Sequence, residues 1–277
     1  TQVADALVPD ALAGLTATAE VATMALRQQS FQRAKRDEVE PAYAPLKQAI
    51  EIAERHLGPN HADTAATMGL LSNTYGRFGE YKMQLATAQE ALTRAMAGLG
   101  AQRPHLTLTD VERWYAEALR RNDLPATAAP ILRRVLEDQR RLDGSDTPRV
   151  RNAIYQLGLA LAEAGELGEA LSLLRETVTL EAKQNGSDDN EDRRNFRSAL
   201  AVVLGFARRT DEALALMPRG AAGPDPLPEA PSLGQMINHL RYARLLAMAG
   251  DARAAARVAD EAAQRTADGV DRVNDSI

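Results

Sequence analysis

The chain of 277 residues contains no cysteine. That absence excludes disulfides, thiolate catalysis, and any zinc or iron–sulfur site built on cysteine. Aromatic residues make up only 4%. Val, Ile, Thr and Tyr nowhere alternate in runs, so the pattern of half-buried strands is missing. No apolar run approaches the roughly 18 residues of a membrane helix, and no signal peptide is visible. The common catalytic signatures are missing too: no HExxH pair, GxGxxG turn, Walker loop or GxSxG elbow occurs. With no nucleophile–base or metal constellation, no catalytic residue, metal or cofactor is expected of this segment.

What remains is an ordinary globular balance of 45% apolar and 26% charged residues, rich in alanine. Alanine is the best helix former, and its small side chain suits closely packed helices, so the chain reads as all-α. The formal charge of −5 argues against phosphate-backbone binding as the main task. Compartment is left open, because a chain without cysteine suits cytoplasm or periplasm. The first residue is Thr1 and not methionine, so the chain is expected to be a piece of a longer protein.

Tyr75-Gly76-Arg77-Phe78-Gly79-Glu80-Tyr81 reads as a tight turn between two amphipathic helices, and weaker copies follow it. The turn position recurs at Gly79, Asp123, Gly165, Arg208 and Gly250, with steps of 44, 42, 43 and 42 residues. Seven residues before each turn lies Ser72, Ala116, Gly158, Ala201 or Ala243, preceded by a larger Leu71, Tyr115, Leu157, Leu200 or Tyr242. Four before the turn come Tyr75, Leu119, Leu161, Leu204 and Leu246; five after it come Gln84, Ala128, Ala170, Ala213 and Ala255. A second glycine register, Gly58, Gly100, Gly144 and Gly186, closes the second helices. Large and small residues at helical spacing let two helices approach closely. A single hairpin cannot bury its apolar face, whereas stacked hairpins can.

The expected helix pairs are 61–77 with 80–98, 105–121 with 124–142, 147–164 with 167–183, 191–208 with 210–217, and 232–249 with 252–267. A first, irregular pair is expected over 10–35 and 41–57, opened by Pro9 and Asp10, with the polar run from Phe31 to Glu38 as a loosely held turn. Projecting the step back from Gly79 reaches Asp37, with polar Arg33 and Gln29 where other repeats are apolar, as suits a cap. Residues 218–231 hold five prolines and two glycines and cannot be helix or strand. That stretch reads as a linker, with a ligand contact as the second reading. The chain is thus expected to form one domain over 1–277. Its parts are a cap at 1–40, regular repeats at 41–217, an insertion at 218–231, and a C-terminal hairpin and tail at 232–277.

Ala49-Ile50-Glu51-Ile52-Ala53-Glu54-Arg55-His56-Leu57-Gly58-Pro59-Asn60-His61 and Gly165-Glu166-Leu167-Gly168-Glu169-Ala170-Leu171 carry a family likeness. Over roughly 40–265 the chain resembles the tetratricopeptide repeat family, in its longer variety typified by kinesin light chains and many bacterial regulators. The standard 34-residue spacing is not met, and HEAT-like repeats are the runner-up fold. The resemblance implies a right-handed α-solenoid of about six repeats whose groove, lined by first helices, binds a peptide or protein segment. By register it implies groove positions at Asn73, Arg113, Glu117, Tyr155, Ser198 and Arg244, with Asn152, Gln156, Asn195 and Arg241 beside them. Asn and Gln there would bond a peptide backbone, and Arg a carboxylate; ordinary solvated polar residues are the plain alternative. The family's recurring Asn pair is replaced by Gly69-Leu70 and Arg113-Trp114, and its Lys/Asn/Arg carboxylate clamp is not met, so a chaperone tail is not the expected ligand.

The remaining polar features read as structural. His56 and His61 flank a Gly-Pro break, a poor metal spacing, and His61 and His105 precede equivalent first helices. The acidic stretch Asp188-Asp189-Asn190-Glu191-Asp192 lacks the glycine and terminal glutamate of a calcium loop and is expected to open a helix. Trp114, the sole tryptophan, is expected at a repeat interface, with a groove anchor as the alternative. Arginine pairs such as Arg133-Arg134 read as solvated faces. The function expected is a non-catalytic protein- or peptide-binding module, the sensor or regulatory part of a larger bacterial signalling protein such as a kinase or transcription regulator. The alternative is a self-associating scaffold in a secretion or envelope assembly. No direct nucleic-acid or membrane contact is expected.

Overall fold

A computed structural model of the chain describes residues 16–36, 38–100, 103–183, 191–217, 227 and 233–274. Within these, twelve α-helices and no strand occur. They are α1 Thr16–Lys35, α2 Val39–His56, α3 Ala62–Arg77, α4 Tyr81–Leu99, α5 Leu106–Arg121, α6 Pro125–Asp143, α7 Pro148–Glu163, α8 Leu167–Lys183, α9 Glu191–Phe206, α10 Thr210–Leu216, α11 Leu233–Met248 and α12 Ala252–Asn274. The chain packs as two compact units, residues 1–156 and residues 157–277. In the first, α1 packs on α2, α3 on α4 and α5 on α6; in the second, α9 packs on α10 and α11 on α12. The fold is an all-α array of helical hairpins.

One piece of local chemistry makes the hairpins. All five turn positions take the left-handed backbone: Gly79 at φ 82°, Asp123 at 60°, Gly165 at 90°, Arg208 at 58° and Gly250 at 87°. The next residue's N–H then turns back to the carbonyl five residues before it. These bonds are Glu80 to Tyr75, Leu124 to Leu119, Glu166 to Leu161, Arg209 to Leu204 and Asp251 to Leu246, at 2.8–3.0 Å. This is the Schellman closure, which satisfies a carbonyl the helix end leaves open. The small residues before the turn are buried, as are Gln84, Ala128, Ala170, Ala213 and Ala255 after it. Where the second helix brings something bulkier, the first helix yields: Gly76 lies under the Gln84 amide, and Gly158 under Leu174.

The N-terminal pair differs from the reading of its sequence. Phe31 to Lys35 belong to α1, and the break is confined to the residues around Arg36 and Glu38. Arg33, polar where other repeats are apolar, has a use there. Pro45 inside α2 carries no N–H, which frees the Pro41 carbonyl, and Arg33 Nη1 donates to that oxygen at 3.0 Å. Ser30 Oγ donates to the Ala42 carbonyl at 2.7 Å, fixing the same two helices. Pro9, Asp10, Asp37, Gly186 and Asp188 to Asn190 lie outside the described residues, as does the stretch 218–231 except Leu227. Glu191 opens α9 as expected, and α10 stops before Pro218, whose neighbour Met217 is extended at φ −77°, ψ 140°.

Candidate binding face of the first helices

Within the first unit, α1, α3, α5 and the first part of α7 carry the positions that the repeat register puts on one face. Arginines cross-link the helices beneath it. Arg27 on α1 donates through Nη2 to the Asp63 carbonyl at 2.7 Å and through Nε to Thr67 Oγ1 at 2.8 Å, both on α3. Burial lowers the Arg27 pKa, and the nearby Asp63 carboxylate only partly offsets it. Arg121 on α5 donates to the Gly76 carbonyl on α3 and, at 2.7 Å, to Glu117 Oε1 on its own helix. The Cε3–Cζ3 edge of Trp114 abuts Gly69: a Cβ there would come within 2.1 Å of the ring. Trp114 is therefore a repeat-interface residue, in one buried cluster with Ala65, Met68, Ala91, Ala95, Leu108 and Val111.

Of the positions expected to meet a ligand, Asn73 on α3 is exposed and Arg113 on α5 is half-buried. Arg113 is held from two sides, 3.7 Å from Asp110 Oδ1 and 5.2 Å from the centre of the Trp114 ring. Glu117 does not stand free. It is buried and engaged by Arg121, because the small Ala116 beside it draws α5 close to its neighbours. On α7, Asn152 and Tyr155 are half-buried and Gln156 is buried. Asn152 Oδ1 and Gln156 Oε1 are out of contact with solvent and have no hydrogen-bond partner.

The same register in the second unit gives a different outcome. Ser198 on α9 is 1% exposed and accepts a 2.8 Å bond from Arg241 Nη1 on α11, so both tie first helices together and neither faces outward. Asn195 is half-buried, its carbonyl 3.4 Å from Ser198 Oγ. Arg244 is exposed, its guanidinium 4.6 Å from the centre of the Phe206 ring.

Two residues on α1 were missed. Met24 is 67% exposed and Phe31 is 50% exposed. Counted back from Asp37, Met24 holds the register of Asn152, and Phe31 that of Asn73 and Arg244. The projected turn therefore contained the signal, and the polar Arg33 and Gln29 hid it. Lys35 Nζ lies 4.7 Å from the Phe31 ring centre.

A charged cluster lies where Glu112 and Asp138, both buried, bond to Arg103, with Arg134 Nη2 2.6 Å from Glu112 Oε1. Burial disfavours the charge on Arg103, but the two carboxylates outweigh it and raise its pKa. Such a four-membered set balances its charge and pins the α4–α5 connection. His61 Nδ1 accepts the Asp63 N–H at 3.2 Å and caps α3; His105, at the equivalent place before α5, makes no side-chain cap bond. Among the described residues no three of His, Cys, Asp and Glu converge as metal ligands, and no helix is long and apolar enough to cross a membrane.

Comparison with known proteins agrees with this construction. Two family models described as tetratricopeptide repeat match residues 108–183 and residues 15–63. No curated protein matches the sequence. Among solved structures, the chain is similar to a variant of the Podosopora anserina putative kinesin light chain nearly identical TPR-like repeats, at 20% identity and a TM-score of 0.58, covering 70% of this chain and 90% of that one. It is similar to BtubC (BKLC) from P. vanneervenii, at 18% identity and TM-score 0.58, over 78% and 85% of the two chains. It is also similar to a Rap protein complexed with Competence and Sporulation Factor, at 15% identity and TM-score 0.62, over 92% and 68%.

Proposed function

Since the chain is a tetratricopeptide-repeat protein, we propose that the first-helix face of its N-terminal unit binds an extended segment of another protein. The observation that carries this reading is the pair of unpartnered oxygens on α7, Asn152 Oδ1 and Gln156 Oε1. Leaving a buried acceptor unmet costs about 1–3 kcal/mol, which a donor from a bound segment would recover. Side chains four apart on a helix stand about 5–6 Å apart. Alternate N–H groups of an extended chain, at about 3.3 Å per residue, recur every 6.6 Å or so and point the same way. The two oxygens therefore match two successive same-side N–H groups of a strand-like ligand. Exposed Asn73 supplies a further amide, and Met24 and Phe31 offer apolar surface at the α1 end. Binding would be read out as a shift in population among conformers, with no chemistry involved.

The finer reading is a sensor or regulatory part of a bacterial signalling protein. The solved Rap protein in complex with a factor supports a ligand-binding role for this kind of fold. The test is selection of a displayed random-peptide library on the purified chain, followed by Asn152→Leu with Gln156→Met. Each lost bond is worth about 1 kcal/mol, so the double variant should weaken selected peptides roughly 30-fold. Its own melting temperature should rise, because two orphaned acceptors are gone. No selected binder, or binders indifferent to the double variant, would refute the reading. A stable dimer in light scattering that selects no peptide would favour the scaffold alternative.

A further inference from the structure

Helix α1 has one side that its packing on α2 does not use. Its buried residues Ala19, Ala22, Leu26, Ser30 and Ala34 share the other side, and the first three form a cluster with Ala49 and Ile52 of α2. Opposite them Val21, Met24, Gln28, Phe31 and Lys35 are all exposed. The steps between these five are 3, 4, 3 and 4 residues. That is the heptad spacing of a helix seam that faces another helix. Val21 is 49% exposed, Met24 67% and Phe31 50%. Large apolar side chains scattered singly over a surface need no partner, but three in register along one helix make a contact surface.

The charges at the ends of the seam identify what fits it. Exposed Glu20 stands beside Val21 at the N-terminal end, and exposed Lys35 closes the C-terminal end. Glu20 and Lys35 are equidistant from a point between Arg27 and Gln28, and so are Met24 and Phe31. A two-fold axis through that point lays a second α1 antiparallel on the first. Glu20 of each copy is then level with Lys35 of the other, so opposite charges close both ends. Met24 is level with Phe31, so a thioether meets an aromatic ring twice, which is a favourable contact. Gln28 meets its counterpart near the axis, where two amides can exchange hydrogen bonds, and one polar residue in an apolar seam fixes the register. A parallel pair would set Glu20 against Glu20 and Lys35 against Lys35, which is repulsive at both ends.

We infer that α1 is a self-association surface, through which two copies of this chain pair antiparallel about an axis beside Gln28. The seam from Glu20 to Lys35 spans about 22 Å of helix. One helix pair of that length lies at the small end of specific interfaces, so the dimer forms at micromolar concentration and dissociates on dilution. The inference is separate from the peptide reading above, because it is measured with no ligand present. Where both hold, a second copy and a bound segment compete for Met24 and Phe31.

Sedimentation equilibrium of the whole chain, from about 1 to about 200 μM, reads the association directly. The wild type should pass from monomer to dimer within that range. Met24→Gln with Phe31→Gln, both at exposed positions, should keep the helical circular dichroism and weaken the dimer at least tenfold. Glu20→Lys and Lys35→Glu should each weaken it at least threefold. Mixed in equal amounts, those two single variants should associate more tightly than either does alone, because each chain offers the charge the other needs at both ends. A wild type that stays monomeric overturns the proposal. So does a dimer indifferent to the change of Met24 and Phe31, or a mixture no tighter than its components. A monomer whose selected peptides are lost on Met24→Gln with Phe31→Gln would assign the seam to the peptide and refute self-association. Should that double variant fail to fold, the two charge variants and their mixture carry the test by themselves.

Discussion

Gly69 and Trp114 give the sharpest test of how the repeats stack. Replacing Gly69 with alanine adds one methyl group in the middle of α3. By propensity alone that should stabilise the helix by about 1 kcal/mol. The structure sets a larger opposing cost. The new Cβ would stand 2.1 Å and 2.4 Å from Trp114 Cε3 and Cζ3, where ordinary contacts begin near 3.4 Å. A rigid ring must therefore move by more than 1 Å. It is wedged in a buried cluster with Met68, Leu108 and Val111, so the move disturbs both repeats. Overpacking of this kind costs about 1–3 kcal/mol, and the pinned ring puts this case at the upper end. The net expectation for Gly69→Ala is a loss of about 2 kcal/mol. Gly168, in the first turn of α8, has nothing within 4 Å of the place a Cβ would take, so Gly168→Ala should gain up to about 1 kcal/mol. Urea unfolding measures both by circular dichroism. The single tryptophan also reports the α3–α5 interface directly through its fluorescence. In a Trp114→Leu background the Gly69→Ala penalty should shrink or reverse. If Gly69→Ala stabilises the wild-type chain as Gly168→Ala does, the stacking argument is wrong.

Other expectations follow from the same contacts. Arg208 sits at φ 58° in a turn where three of the other four positions are glycine, and Arg208→Gly should raise stability by about 1 kcal/mol in urea unfolding. Arg103→Ala removes a cation bonded to the buried carboxylates of both Glu112 and Asp138, and should cost about 3 kcal/mol by the same assay. Burial pushes the Glu261 carboxyl up, but the Leu227 N–H, His239 and the charge of Arg265 outweigh it, so its pKa falls below the usual 4.5. A carboxyl with a lowered folded pKa stabilises above its unfolded pKa and loses that contribution as pH falls through the folded one. The melting-temperature gap between wild type and Glu261→Gln should therefore hold from about pH 6 to about 4.5 and close on further acidification. Arg241→Met should lower the melting temperature by breaking its bond to Ser198, whereas Arg244→Met, which gives up only an exposed ring contact, should leave it nearly unchanged.

The periodic features were legible because they are local. A left-handed turn residue, a small residue seven before it and another five after it leave their mark every 42–44 residues. Counting them located Asp123 and Arg208 as turns, although neither is glycine, and both have positive φ. The binding face was legible only in part. Register says which way a residue points, but not whether a neighbouring helix already holds it. Glu117 and Ser198 point the right way and are consumed by Arg121 and Arg241. Met24 and Phe31 were passed over because a polar Arg33 made their repeat look irregular. That arginine answers a carbonyl freed by Pro45, a dependence between two helices that no single-helix pattern displays.

The helical class, the hairpin step, the turn positions and the lack of cysteine chemistry are all written in the order of residues. Each follows from backbone sterics or composition within a few residues of chain. Which polar atoms are satisfied is a matter of packing. Asn152 and Gln156 look no different in sequence from exposed Asn73, and only the approach of other helices determines whether a polar atom meets a donor, solvent or nothing. The same holds for Leu227, whose capture by Glu261 across 34 residues depends on two helices meeting in space.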